Sequence, residues 1–475
     1  MSSNTTFSPL SSVSSVDGRY HKYTQELQEL VSEKALFRYR LQVEAKWLLF
    51  QLDHPKLSSK LPKPETIKNH SQIIGLLNDL ANDHIPSQAF YQIKAIEKTT
   101  NHDVKAVEYY LHQTLSQLDT PESILALIHF ACTSEDINNL AYALMLRDVR
   151  HLICRDLSKL SNYLTQLTEQ YCQSPMLART HGQPASPTTM GKELAVFVHR
   201  FNRQINQLSK QQIFGKWAGA VGNYNAHHFV YPELCWPDIA KDFVESFDNI
   251  QHNPMVTQIE SHDAMSEFCD TLRRFSSMAI GLCQDIWGYI TLDYFKQKIN
   301  NQEIGSSTMP HKVNPINFEN AEGHFGLVRT LASHFSEKLL ISRWQRDLSD
   351  SSVLRSFGTM IGFHQIAIHN LIIGLNKLEL NQEAMDLDLN HSWEVLAEAV
   401  QTLLRSRGVD DAYEQLKKIT RGQPFSQQLY LDLVSHLDDL RDEDKQKLRN
   451  LTPRTYLGLA QYLAEETSAR SSPSP

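Results

Sequence analysis

Three stretches of this chain repeat their apolar residues at alternating spacings of four and three. The first is Ile153, Leu157, Leu160, Leu164, Leu167 and Tyr171; the second is Leu194, Val198, Phe201, Ile205 and Leu208. The third, and longest, is Met265, Phe268, Leu272, Phe275, Ala279, Leu282, Ile286 and Tyr289. A repeat of 3.5 residues keeps one apolar seam facing a partner helix and winds the helices left-handedly about each other. Helices of roughly 25–40 residues with such seams pack as an elongated bundle. No alternating-period run exceeds a few residues, so strands are expected to be rare and the fold all-α.

The rest of the chain is arranged around that bundle. A polar lead, residues 1–16, precedes the turn Val16-Asp17-Gly18-Arg19-Tyr20. Helical patterns follow from Thr24 to Leu52, over 65–81 and 87–98, and from Val104 to Leu115. Pro121 marks a boundary. The first long helix is expected from about Asp136 to Tyr171, and 178–187 reads as the loop to the second. A helix from Phe318 to Leu339 and an apolar one from Ser352 to Leu380 come later. Beyond Asn381 the segments shorten. The division is therefore a helical N-terminal domain over 1–120, the bundle over 121–380 and a small helical domain over 381–475.

Composition narrows the function classes. With 475 residues, a net charge of −8 and no long basic run, the chain is a poor nucleic-acid binder. No apolar run approaches the ~20 residues of a membrane span, and the Ser/Thr-rich start lacks the basic and apolar regions of a secretory signal. A cytoplasmic location is expected. None of the six cysteines forms a Cys-x-x-Cys pair, so they read as reduced core thiols and no metal site is expected.

Polar outliers gather where helical segments end. Thr99 to Asp103 and Thr133-Ser134 have helix-capping chemistry, and the first could instead present His102 and free helix amides to an anion. Arg346 could form a surface pair with Asp347 or Asp350. The densest cluster is Gly305-Ser306-Ser307-Thr308-Met309-Pro310-His311-Lys312-Val313-Asn314-Pro315. Its glycine and two prolines make it a loop. Its hydroxyls, lysine and amide could surround a small anion and take a proton from it.

That string resembles the signature loop Gly-Ser-Ser-x-Met-Pro-x-Lys-x-Asn-Pro of the fumarase/aspartase superfamily. Thr99 to Glu108, Cys132-Thr133-Ser134-Glu135-Asp136, Arg179-Thr180-His181-Gly182-Gln183-Pro184 and the His311-Lys312 pair narrow the likeness to the adenylosuccinate lyases. It runs from Asp17 to about Tyr456. Thr308, where many members have alanine, and Gln183-Pro184 depart from the pattern without touching a reacting group. The resemblance implies a three-domain fumarase/aspartase-like fold and a cofactor-free β-elimination that cleaves adenylosuccinate to AMP and fumarate. It implies the same reaction on the succinyl-carboxamide nucleotide of purine synthesis. Ser306 would be the base and His181 the acid, with Glu319 orienting the histidine and His102 and Lys312 also catalytic. Substrate contacts would come from Arg19, Tyr20, Asn101, His102, Asp103, His129, Thr133, Ser134 and Gln258. Ser307, Lys312, Val313, Asn314 and Asn320 would add to them. Arg346, Ser351 and Arg355 would hold the phosphate, with amides of the helix starting near Ser352, and Ser352, Val353 and Leu354 would be further substrate contacts.

A homotetramer with active sites shared between chains is the implied assembly. Argininosuccinate cleavage is the alternative within the superfamily, and an inactive helical scaffold is the alternative outside it. The joint presence of Ser306, Lys312, His181 and Glu319 argues against the scaffold.

Overall fold

The computed structural model describes residues 8–60, 68–298, 312–409 and 425–471. Its main elements, in chain order, are helices α1 (Glu33–Asp53), α2 (His70–Ala81), α3 (Ser87–Thr100), α4 (Asp103–Ser116) and α5 (Ser134–Gln170). Strands β1 (Pro175–Thr180) and β2 (Gln183–Thr189) lead to α6 (Met190–Lys210) and β3 (Phe214–Gly215). Then come α7 (Trp236–Val244), β4 (Gln251–His252), α8 (Asp263–Thr291) and β5 (Phe295–Gln297). Helices α9 (Ile316–Lys338), α10 (Ser349–Leu354) and α11 (Phe357–Asn376) precede β6 (Leu378–Leu380), and short helices complete the chain.

The long seams behave as their spacing requires. Ile153, Leu157, Leu160 and Leu164 are fully buried on α5, as are Val198, Phe201 and Leu208 on α6. On α8 the same holds for Phe268, Leu272, Phe275, Ala279, Leu282 and Ile286. Each of the large side chains among them contributes roughly 1.5–3 kcal/mol by leaving water. Local chemistry sets the helix starts. Ser32 Oγ accepts from Ala35 N at 3.1 Å and opens α1, so the helical reading from Thr24 breaks at Ser32. Thr189 Oγ1 accepts from Lys192 N at 3.1 Å at the start of α6.

Three further expectations are corrected. Residues 178–187 are not a plain loop: they form most of an antiparallel hairpin, with Thr180 paired to Gln183 and Arg179 to Pro184. His181 (φ 54°) and Gly182 (φ 76°) make the two-residue turn, and positive φ at both positions is what a type I′ hairpin needs. The apolar stretch 352–380 is not one helix either. It ends α10 at Leu354, restarts as α11 at Phe357 and finishes as β6, which pairs antiparallel with β5. The cysteines carry no disulfide, but only Cys269 and Cys283 are buried, and Cys235 is exposed.

The backbone divides into two compact units. One holds residues 1–155, 206–277 and 324–367; the other holds 156–205, 278–323 and 368–475. In the first, α1 to α4 enclose a core of Phe37, Leu41, Leu48, Leu77, Ile93 and Leu111. In the second, Leu389, Leu396, Val400, Leu404, Tyr430 and Val434 form a core in the C-terminal region. Among the described residues no helix is long and apolar enough to cross a membrane.

Candidate active site

In the first unit the anion-binding candidates meet. Helix α3 ends on Asn101, which takes a left-handed conformation (φ 51°), and His102 caps α4. The cap is the imidazole: His102 Nδ1 accepts from Lys105 N at 3.1 Å. With Nδ1 accepting, the ring is neutral and its proton sits on Nε2. Asp103, next in the chain, is bonded by Arg355 at 2.7 Å and by the buried Arg40 at 2.9 Å. Burial alone would raise the Asp103 carboxyl; Arg40, the Val104 amide and Arg355 outweigh that and hold it below the usual range. Two cations therefore share one anion, leaving a positive charge on the half-exposed Arg355 for a further partner. A cavity of about 300 Å³ beside Arg355 is also lined by Val16, Asp17, Thr24 and Thr359. The 16–20 turn thus lies near Arg355, with Tyr20 edge-on to His324 at 4.9 Å.

Arg346 is placed differently. It bonds Asp350 at 2.8 Å, Glu135 at 3.0 Å and Ser351 Oγ at 3.3 Å, and its side chain is only 18% exposed. It is neither a surface residue nor short of partners. His262 Nε2 lies 3.4 Å from Asp350 Oδ2, the oxygen that Arg346 also contacts. Burial would raise the Asp350 carboxyl, but His262 and Arg346 draw it down. The helix near Ser352 starts at Ser349 and has six residues, and its Ser351 amide already donates to Asp350 Oδ1 at 2.7 Å. It offers no N-terminal anion site of the kind expected. Leu354 is buried, while Ser352 is exposed and Val353 half-buried.

A buried ion pair fixes the Thr133-Ser134 segment. Asp136 and Lys216 are both fully buried, with Nζ 2.8 Å from Oδ1. Asp136 also accepts from Thr133 N at 2.8 Å, Ala218 N at 2.9 Å and Gly219 N at 3.3 Å. The 218–220 segment in turn receives Gln258, whose Nε2 donates to Ala220 O at 2.8 Å. Gly222 (φ 84°) permits this: a Cβ there would stand 2.2 Å from Val256 O. One carboxylate thus ties two substrate candidates, Thr133 and Gln258, to one scaffold.

In the second unit His181 stands at the exposed tip of the β1–β2 hairpin. Below it, Arg179 and Tyr294 both bond Asp388, which anchors the hairpin strand. Glu319, in the first turn of α9, accepts from Trp287 Nε1 at 3.3 Å and not from His181 of the same chain. Lys312 and Val313 are exposed, Gln297 Nε2 donates to Val313 O at 3.1 Å, and Asn314 and Asn320 are half-buried. Ser306, Ser307 and the rest of the signature loop up to His311 lie outside the described residues.

A lyase family model covers residues 18–329, and a model of the adenylosuccinate lyase C-terminal region covers 342–457. Adenylosuccinate lyase of Haemophilus influenzae is 46% identical over 462 residues, 97% of this chain and 99% of that one. The Escherichia coli K12 enzyme is 45% identical over 460 residues, with 97% and 99% covered. This chain belongs to the adenylosuccinate lyase family. In structure it is similar to a fumarate lyase from Mesorhizobium sp. BNC1, with a TM-score of 0.74 at 18% identity over 94% of this chain and 97% of that one. That likeness bears out the all-α fumarase/aspartase-like fold.

Sequence reasoning did not single out Arg40, Glu44, Lys216 or Asn139. Asn139 exchanges hydrogen bonds with the Lys216 backbone at 2.7 and 3.1 Å. Each lies in a helix or next to a strand, far along the chain from its partner. Positive φ at Asn101, His129 and His181 is a second signal that only coordinates reveal.

Proposed function

We propose that this family member cleaves adenylosuccinate to AMP and fumarate, and the succinyl-carboxamide nucleotide of purine synthesis in the same way, by general acid/base β-elimination without a cofactor. The observation carrying this reading is the Arg40–Asp103–Arg355 group, whose surplus positive charge suits a nucleotide phosphate. Near-full-length identity to adenylosuccinate lyases supports the substrate.

The chemistry needs a base for the proton next to a carboxylate and an acid for the departing nitrogen. Ser306 is assigned as the base. Its hydroxyl must ionise, which Lys312 and the Gly305 amide favour once water is excluded. Lys312 and Asn314 stabilise the doubly charged carboxylate of the carbanion intermediate, the electrostatic term that usually dominates. His181 delivers the proton to nitrogen, and His102, with its Nε2 proton, serves as a further donor. Asn101, His129, Thr133, Ser134, Gln258, Ser307, Val313 and Asn320 complete the contacts, with Arg19-Tyr20 as a further contact to the nucleotide.

The assembly is assigned as a homotetramer with His181 and Ser306 of one site on different chains. Two observations support it. Glu319 does not reach His181 within a chain. Val196 on α6, Trp287 on α8 and Leu327 on α9 are 40%, 47% and 45% exposed, apolar surface on long helices that a second copy would cover. A cytoplasmic location fits the purine-synthesis role.

Arg355→Ala tests the reading. A lost charge-assisted contact costs ~1.5–3 kcal/mol, so KM for adenylosuccinate should rise about 10- to 100-fold with a smaller change in kcat. The native protein should strongly prefer adenylosuccinate to its dephosphorylated nucleoside, and the variant should lose most of that preference. Arg346→Ala should also weaken binding, though part of its effect will come from stranding Glu135 and Asp350. An unchanged KM in Arg355→Ala would remove the phosphate assignment.

A further inference from the structure

A buried polar stripe of α1 grips a single short segment. Gln51 Nε2 donates to Leu127 O at 3.1 Å, and Trp47 Nε1 donates to Phe130 O at 3.3 Å. One turn before Trp47, Glu44 Oε1 lies 2.6 Å from His129 Nδ1. These three residues fall on one stripe of the helix. The Glu44 side chain is wholly buried, and among the described residues its Oε2 has no partner. Burying a carboxylate is costly unless it is paired with a charge. A histidine at φ 56° is likewise strained and persists only where its surroundings over-determine it.

We propose that Glu44 is a positioning residue of the active site: its buried carboxylate holds His129 by Nδ1 and keeps the ring cationic, leaving Nε2–H as a charged donor to an anionic group of the substrate. This rests on the reading of His129 as a substrate contact. The charged neighbours agree in sign. Burial of the ring disfavours its charge, and Glu44 outweighs that, with Glu108 from α4 and Asp136 from α5 adding to it. His129 therefore titrates above the ordinary histidine value, so it carries charge below that raised pKa and loses it as the pH climbs through it. A neutral side chain at position 44 removes the largest support and moves the loss of charge to lower pH. The 2.6 Å contact also fixes Nδ1 as the bonded nitrogen, which leaves one ring donor instead of two.

The test is a double-mutant cycle on the assembled enzyme with adenylosuccinate, recording kcat and KM from pH 6 to 9. Glu44→Gln keeps shape and hydrogen bonding but not charge. It should raise KM roughly 10- to 100-fold at the alkaline end, the range for one charge-assisted contact, with less change near pH 6 and little change in kcat. In the His129→Gln background the same substitution should have no further effect, because Glu44 acts only through the ring. If His129→Gln raises KM but Glu44→Gln leaves KM and its pH profile unmoved, the proposal fails while the reading of His129 stands. If His129→Gln itself changes nothing, that reading falls and the proposal with it. Should Glu44→Gln not fold, ring-labelled histidine NMR of the native enzyme, with His129→Gln to assign the signal, gives the answer. A His129 titration at or below the ordinary value overturns the proposal, and one above it upholds it.

Discussion

His181→Ala and Ser306→Ala are each expected to lower kcat by about 10²- to 10⁴-fold, the span for a lost acid or base, with little change in KM. Each substitution removes one half of the proton-transfer pair. The informative step is to combine the two inactive proteins. Unfolded together and reassembled in equal amounts, chains mix at random. A site that draws His181 from one chain and Ser306 from another is then native in ~25% of cases, by counting over a symmetric assembly. Activity should return to about that share of the native value. Native mass spectrometry shows whether mixed assemblies formed. Mixed tetramers without activity would place both residues of each site on one chain. The position of His181 at a hairpin tip makes such sharing sterically simple, since the turn projects from its own strands and ends in an exposed side chain.

The second large effect is on stability. Lys216→Met should destabilise the protein by roughly 3–5 kcal/mol, because Asp136 would be left as an uncompensated buried charge. Asp136→Ala should be at least as damaging, since it also releases the amides of Thr133, Ala218 and Gly219. Replacing both residues by apolar side chains of similar volume should recover part of the stability, because the desolvation cost goes with the charges. Activity should not recover with it. Without Asp136 the amides of Thr133, Ala218 and Gly219 lose the acceptor they share, which loosens the Thr133 segment from the strip that receives Gln258. Denaturant unfolding of the two single variants and the double variant, with kcat/KM measured on each, separates the two roles. A Lys216→Met protein as stable as the native one would contradict the buried-pair account.

The helical architecture was legible because a 3.5-residue repeat has one physical solution. Phe268, Leu272, Phe275, Ala279, Leu282 and Ile286 could not share a buried face in any other regular structure. What escaped was structure without a period. The β1–β2 hairpin holds Pro184 and Pro187 and no hydrophobic alternation, so its only local signal was the His181-Gly182 pair, a sequence that tolerates two positive φ values. The break at Arg355 and Ser356 was hidden because the residues on both sides are apolar, and β6 forms only by pairing with β5, over 80 residues earlier in the chain. His102 was expected in a loop before a helix. Its use of the imidazole itself as the cap is not something spacing can reveal.

The site was legible in part, and for a specific reason. Residues presented by loops sit in unusual local sequences, so Thr99 to Asp103, Thr133-Ser134 and the 305–315 loop stood out. Their supports did not. Glu44 looks like any surface glutamate in a helix until His129 is found 85 residues away at 2.6 Å. Lys216 reads as an ordinary lysine beyond the second long helix until Asp136 is seen beside it. Arg346 shows the limit of local reading from the other side: its neighbours suggested a surface pair with Asp347 or Asp350, yet it is largely buried and is shared by Asp350 and the distant Glu135.

The most direct test is fumarate release from metal-stripped native protein given adenylosuccinate and, separately, argininosuccinate. The predicted result is AMP and fumarate in equal amounts from adenylosuccinate, full activity in the presence of a chelator and no measurable turnover of argininosuccinate. Fumarate from argininosuccinate alone, or activity that disappears on chelation and returns with a divalent ion, would contradict it.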